Sequence, residues 1–147
     1  MAAAKIDGTA IARKVREQLK AEIAARKAAN PRFNPCLKII QVGDRSDSTT
    51  YVRMKLKASE EVGIAAELIK FDESATEAEL IARVTALNND PSVHGILVQL
   101  PLPKHVSEYN VTSAVASEKD VDGFGTYNIG ELAKRGGRPF FVPCTPK

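Results

Sequence analysis

The sequence contains no tryptophan and only two cysteines and two histidines, so the chemistries that need those residues in quantity have little to draw on. Cys36 and Cys144 stand far apart, with no Cys-x-x-Cys and no nearby histidine pair, which argues against a zinc site. Sequence leaves a Cys36–Cys144 disulfide open, but with no signal-peptide pattern, free thiols in a reducing compartment are the expectation. No apolar run approaches the ~18 residues that a membrane helix needs, so no membrane partner is expected. A net charge of +3 mildly favours an anionic ligand but is far too small for a nucleic-acid footprint. No G-x-x-x-x-G-K-[ST] phosphate loop occurs. "GFGTYN" matches only part of a dinucleotide fingerprint, lacks the third glycine and follows no strand. Repeats, low-complexity tracts and Gly/Ser linkers are missing too, so the 147 residues read as one domain.

Helical and strand-like segments alternate through the chain. Residues 10–28 are Ala- and Arg-rich and amphipathic, as transit peptides are, but they carry Glu17 and Glu22. Ile11, Val15, Leu19 and Ile23 form an i, i+4 stripe that predicts a first core helix. "NPRFNP" ends it. "CLKIIQVG" (36–43) reads as a strand, 48–63 as a helix and "IAAELIKF" (64–71) as a second strand. Thr76 and Glu79 form a capping box before the stripe Leu80, Val84, Leu87. "VHGILVQLP" (93–101) is a third strand, apolar enough for burial on both faces. Shorter helices are expected near 110–116 and 129–134. The pattern predicts a layered α/β/α domain with a mainly parallel sheet. In such sheets ligands bind beyond the carboxyl ends of the strands, here just after Val42, Phe71 and Val98.

One residue violates the patterning. With residues spaced at about 100° around the helix of "STTYVRMKLKASEEVG", Ala58, Tyr51, Val62, Lys55, Ser59, Val52 and Leu56 share one arc. Arg53, Lys57, Glu60 and Glu61 take the opposite side, where water would place them. Lys55 sits amid the apolar arc. A lysine there ordinarily snorkels, its stem packed and its ammonium in water. This one, however, lies near the helix N-terminus at the expected crevice, with Tyr51 one turn away on the same face. Partial desolvation and the positive end of the helix dipole both favour its neutral amine, the form that accepts a proton near neutral pH.

Two more polar features stand near the expected crevice. Gln99 ends the third strand two residues before Pro101, either as a solvated strand-end amide or as a neutral partner able to orient Lys55. Asp120 and Asp122 occupy "KDVDG", which alone reads as a turn. As a carboxylate pair they lack a third ligand, so no metal is expected. His94 reads as a structural histidine in a buried strand and His105 as a loop residue.

Four stretches taken in order carry a resemblance: "VGDRSDSTTYVRMKLKASEEVGI", "HGILVQLPLP", "EKDVDGFGTYNIGELAKRG" and "FFVPCTPK". Together they resemble the bifunctional methylenetetrahydrofolate dehydrogenase and methenyltetrahydrofolate cyclohydrolase family, over essentially the whole chain. The likeness extends to the corresponding portion of eukaryotic trifunctional C1-tetrahydrofolate synthases. It implies a folate substrate and roles for particular residues. Lys55 would be the catalytic lysine of the cyclohydrolase step and contribute to the dehydrogenase step. Gln99 would hydrogen-bond it and hold its protonation state. Tyr51 would pack against the pterin-side rings. Asp122 would accept from the polar edge of the pterin. Ser48 and Leu100 fall in the same signatures as substrate-binding positions, and Thr145 in "PCTP" would lie near the cofactor.

The resemblance also implies NADP or NAD, bound by a Rossmann-type domain that follows "PCTP" in the family. The sequence stops at Lys147. Residues 1–147 are therefore expected to be the substrate-binding, catalytic domain without the cofactor domain, binding no cofactor themselves. The family dimerises mainly through that other domain, which leaves the oligomeric state of these residues open. A cytoplasmic location is expected. The alternative is a non-catalytic folate-binding or interaction module.

Overall fold

A computed structural model describes residues 6–144. Its elements run α1 (Gly8–Ala29), β1 (Cys36–Val42), α2 (Ser46–Val62), β2 (Ala65–Phe71), α3 (Glu77–Asn89), β3 (Gly95–Val98), α4 (Glu108–Ser113) and α5 (Thr126–Ala133). The three strands pair in parallel in the order β2-β1-β3. The expected alternation is present, with β3 shorter than its apolar run. Val93 and His94 precede β3, and beyond its end the Gln99 N–H still donates to the Ile40 carbonyl at 2.8 Å.

Local chemistry accounts for the boundaries. Thr76 and Glu79 form the reciprocal capping box that starts α3: Glu79 N–H donates to Thr76 Oγ1, and Glu79 Oε2 accepts from Thr76 N–H. Gly63 ends α2 in the left-handed conformation at φ 89°, which a side chain resists. At the start of α2, Arg45 pairs with Asp47, and that ion pair pulls the Asp47 carboxyl down to about 2.

Strand alternation sorts the core onto two faces. Ile40 and Val42 of β1 and Ile96 and Val98 of β3 meet Leu80, Val84 and Leu87 of α3 and Val111 of α4. On the opposite face Ile39 and Leu97 meet Val52 of α2. The layered α/β/α reading therefore describes the fold.

The expectation for α1 needs correction. Of its stripe only Ile23 is buried, while Ile11, Val15 and Leu19 are 54%, 47% and 41% exposed. The reason lies in where α1 docks. It meets the C-terminal part of α2 instead of the sheet, through an Arg16–Glu61 ion pair and a Lys27 Nζ–H bond to the Gly63 carbonyl at 2.8 Å. Its amphipathic period is real, but most of its apolar stripe meets no other element among the described residues.

Candidate active site

The helical patterning of α2 places Lys55 where the sequence implies. Ser48, Val52, Ser59 and Val62 are its buried residues, and Lys55, half-buried, continues their stripe. Its Nζ–H donates to Gln99 Oε1 at 3.0 Å, across 44 residues of sequence. Gln99 is fixed at both ends. Its backbone N–H continues the sheet to Ile40, and its Nε2–H donates to the Leu100 carbonyl at 2.8 Å. That second bond turns the amide oxygen towards the lysine. A neutral acceptor therefore orients the amine without a counter-charge.

"KDVDG" is more than a turn, and its two carboxylates do different things. Asp120 is buried and accepts from Gly125 N–H at 2.7 Å, Phe124 N–H at 3.3 Å and Asn128 Nδ2–H at 3.0 Å. It is thus consumed in closing the turn that leads into α5. Lys119 donates to the Leu87, Asn88 and Asp90 carbonyls at the C-terminus of α3, tying the turn to that helix. Asp122 is left half-buried, with no hydrogen bond of its own among the described residues. Burial raises its carboxyl above the ordinary carboxylate range. The Lys55 ammonium pulls it down and the Asp120 carboxylate pushes it up. Lysine, amide and acid thus come from three separate stretches of chain.

The other positions are less closely tied to that trio. Tyr51 lies one turn before Lys55 and is 60% exposed, at the open margin of the stripe. Ser48 is buried in the first turn of α2. Leu100 is half-buried against the α3-side cluster, and its bond to Pro101 is cis. Thr145 lies outside the described residues. His94 is exposed and precedes β3 instead of being buried within it, and its Nδ1 accepts from Cys36 N–H at 3.2 Å. Its role in the fold is structural all the same. Both cysteines are free, and among the described residues no group of three His, Cys, Asp or Glu could hold a metal. No described helix is long and apolar enough to cross a membrane.

A cleft of about 940 Å³ opens at the carboxyl ends of the strands, as the crevice rule anticipates. Its walls include Val42, Glu73, Leu102 and His105, and none of Lys55, Gln99, Tyr51 or Asp122 lines it. Val42 and Leu102 belong to the α3-side core, whereas Lys55 and Gln99 meet on the α2 side. Mutual geometry of reactive groups identifies a site better than volume does, so the lysine–amide pair is the stronger candidate.

Two residues were missed by sequence reasoning. Gln41, two positions after Ile39 on β1, is buried; its Nε2 donates to Thr49 Oγ1 at 2.9 Å and to the Gly43 carbonyl at 3.1 Å. Its Oε1 is buried without a partner among the described residues. Strand alternation put a polar side chain on the α2 face at the strand end, and that was the available signal. Asn128, fully buried, gave no signal at all.

Comparison with known proteins identifies the family. The model of the tetrahydrofolate dehydrogenase/cyclohydrolase catalytic domain matches residues 6–122. The cytoplasmic C-1-tetrahydrofolate synthase of Saccharomyces cerevisiae is 57% identical over 147 residues, which are 100% of this chain and 16% of that protein. The crystal structure of a methylenetetrahydrofolate dehydrogenase-cyclohydrolase from Trypanosoma brucei, complexed with NADP cofactor and an inhibitor, superimposes with a TM-score of 0.92 at 36% identity. The match covers 97% of this chain and 48% of that one. The bifunctional enzyme from Campylobacter jejuni gives 0.86 at 44% identity, covering 95% and 49%. The chain thus spans about half the length of these solved relatives and a smaller share of the synthase. It belongs to the tetrahydrofolate dehydrogenase/cyclohydrolase family.

Proposed function

We propose that residues 1–147 form the folate-binding, catalytic part of an enzyme that interconverts 5,10-methylene-, 5,10-methenyl- and 10-formyl-tetrahydrofolate. The observation that carries this reading is the Lys55 Nζ to Gln99 Oε1 hydrogen bond at 3.0 Å. Hydrolysis of the methenyl bridge adds water to a cationic carbon. One proton leaves that water as it adds. A carbon–nitrogen bond then breaks as the new hydroxyl loses its proton to become the formyl oxygen, and the departing nitrogen takes up one of the two protons. The reaction releases one proton net. A lysine amine can take the first proton and return it to the nitrogen without a metal. Gln99 supports this by holding Lys55 in place with a neutral acceptor. Tyr51, exposed at the margin, offers a ring for the pterin side, and Ser48 and Leu100 are further proposed substrate contacts. Asp122 offers a carboxylate to adjacent pterin N–H donors.

The dehydrogenase step draws on NADP or NAD, which supplies the hydride acceptor when bound. The glycines of "GFG" do not suit a pyrophosphate. A side chain on Gly123 would meet Pro143 at 2.9 Å, and one on Gly125 would meet Asp120 at 2.9 Å. Both glycines serve the turn, so these residues are assigned folate-side contacts alone. Thr145 is the position proposed to lie nearest the cofactor. The cytoplasm is the proposed compartment, after the yeast synthase.

The test is the loss of methenyl-tetrahydrofolate absorbance on adding the chain, compared with Lys55→Ala. A rate above background that Lys55→Ala abolishes supports the reading. Equal rates for the two proteins return the chain to the role of a non-catalytic folate-binding or interaction module.

A further inference from the structure

We propose that Asn128 is a positioning residue for Asp122, locking the turn that carries this carboxylate to the segment at Phe140 and Phe141. The consequence for ligand binding rests on the reading of Asp122 as a folate contact. Asn128 is fully buried near the start of α5, and every hydrogen-bonding capacity of its amide is used. Its Nδ2 donates to Asp120 Oδ2 at 3.0 Å and to the Ser117 carbonyl at 3.1 Å. Its Oδ1 accepts from Phe140 N–H at 2.9 Å and Phe141 N–H at 3.3 Å. Asp120 in turn holds Phe124 and Gly125, so residues 120–125 close into a ring with Asp122 inside it.

The segment at Phe141 and Pro143 seals that ring from outside. Gly123, directly after Asp122, has φ +67°, and a Cβ there would come within 3.0 Å of the Phe141 carbonyl oxygen. Asp122 makes no hydrogen bond of its own among the described residues, so its direction is set by these neighbours. The charged groups acting on it are Lys55, from α2, and Asp120, on the same turn. A side chain with no partner of its own is placed only as well as the backbone beneath it. Asn128 joins the two pieces of backbone that do the placing.

The experiment is an NMR titration of the Asp122 side-chain carboxyl in the full chain, wild type against Asn128→Ala. Asn128→Ser serves as a milder second variant, and circular dichroism checks folding. Opening the turn hydrates Asp122, so its raised titration midpoint should fall towards the ordinary carboxylate value in both variants. Affinity for 5,10-methenyltetrahydrofolate should fall about tenfold with Asn128→Ala, the scale of a displaced hydrogen bond to a charged group. In an Asp122→Ala background that loss should vanish, because Asn128 then has nothing left to position. A midpoint unchanged in both folded variants overturns the proposal, as does an equal affinity loss in the two backgrounds. Unfolding of both variants also overturns it, since positioning would then be inseparable from the fold. If Asp122→Ala itself leaves affinity unchanged, the folate reading of Asp122 fails, and the titration alone still decides the positioning.

Discussion

The two faces of the sheet are built from the same three strands and serve different ends. Towards α3 and α4, Ile40, Val42, Ile96 and Val98 close against a continuous apolar surface that includes Leu80, Val84 and Val111. Towards α2 the buried cluster among the described residues is Ile39, Leu97 and Val52. Two residues further along each strand stand Gln41 and Gln99, and Lys55 comes down to meet the second. Gln41 finds no partner for its Oε1 among the described residues, and an unpaired buried acceptor costs about 1–3 kcal/mol. One face is packed for stability. The other gives up apolar contact at the carboxyl ends of its strands, and that is where Lys55 and Gln99 meet.

The division is broken most directly at Lys55. Lys55→Gln keeps a polar side chain of similar reach and removes the titrating amine. We expect methenyl-tetrahydrofolate hydrolysis to fall by roughly 10²–10⁴-fold, the usual worth of a general acid–base group. The circular dichroism spectrum should be unchanged. A chain that unfolds with this substitution would show that Lys55 holds the α2 face together, and the two faces would then not differ in kind.

Leu80→Ala makes the converse test on the packed face. Leu80 is fully buried in the larger cluster, and its truncation should cost about 3 kcal/mol. For a chain of this size that lowers Tm by roughly 6–12 °C. The protein still folded should largely keep its affinity for folate. Among the described residues no α3 group hydrogen-bonds Lys55 or Gln99, and Leu80 touches the proposed site only through the cluster it shares with Leu100. A fall in affinity without a fall in Tm would place the α3 face in the site and erase the distinction.

How much of this was legible beforehand follows from what each feature depends on. The strands, the α3 capping box and the place of Lys55 on its helix rest on local periodicity, so the sequence displayed them. The Lys55–Gln99 contact was reachable only by joining helical phase to the rule for strand ends. The α1 stripe misled, because periodicity says that a face is apolar but not that anything covers it. The split between Asp120 and Asp122 was hidden for a different reason. It depends on Asn128 and the Phe140 backbone, which fold back from a distance, and no local pattern encodes that return. Gln41 lay in plain view, but only the finished pairing of β1 with β3 shows that it stands beside Gln99.

Asp122 offers the finest test, because its sign reveals which influence governs the α2 face. Burial is the largest effect on this carboxyl and raises it above its ordinary 3.8. The folded chain then holds the Asp122 proton to higher pH than the unfolded chain does. Stability contributed by this group is fully present below the unfolded value and is lost as pH rises through the folded one. Asn has no such proton. The stability of Asp122→Asn relative to wild type should therefore climb with pH across that window and level off above it, read from urea unfolding at a series of pH values. Asp47 supplies the opposite case. Arg45 holds its carboxyl down to about 2, so its contribution is present above 3.8 and disappears as pH falls towards about 2. If Asp122→Asn instead behaved like Asp47→Asn, attraction to Lys55 would outweigh burial. Asp122 would then be an ion-pair partner of the lysine, and the acid would no longer be free to take hydrogen bonds from a ligand.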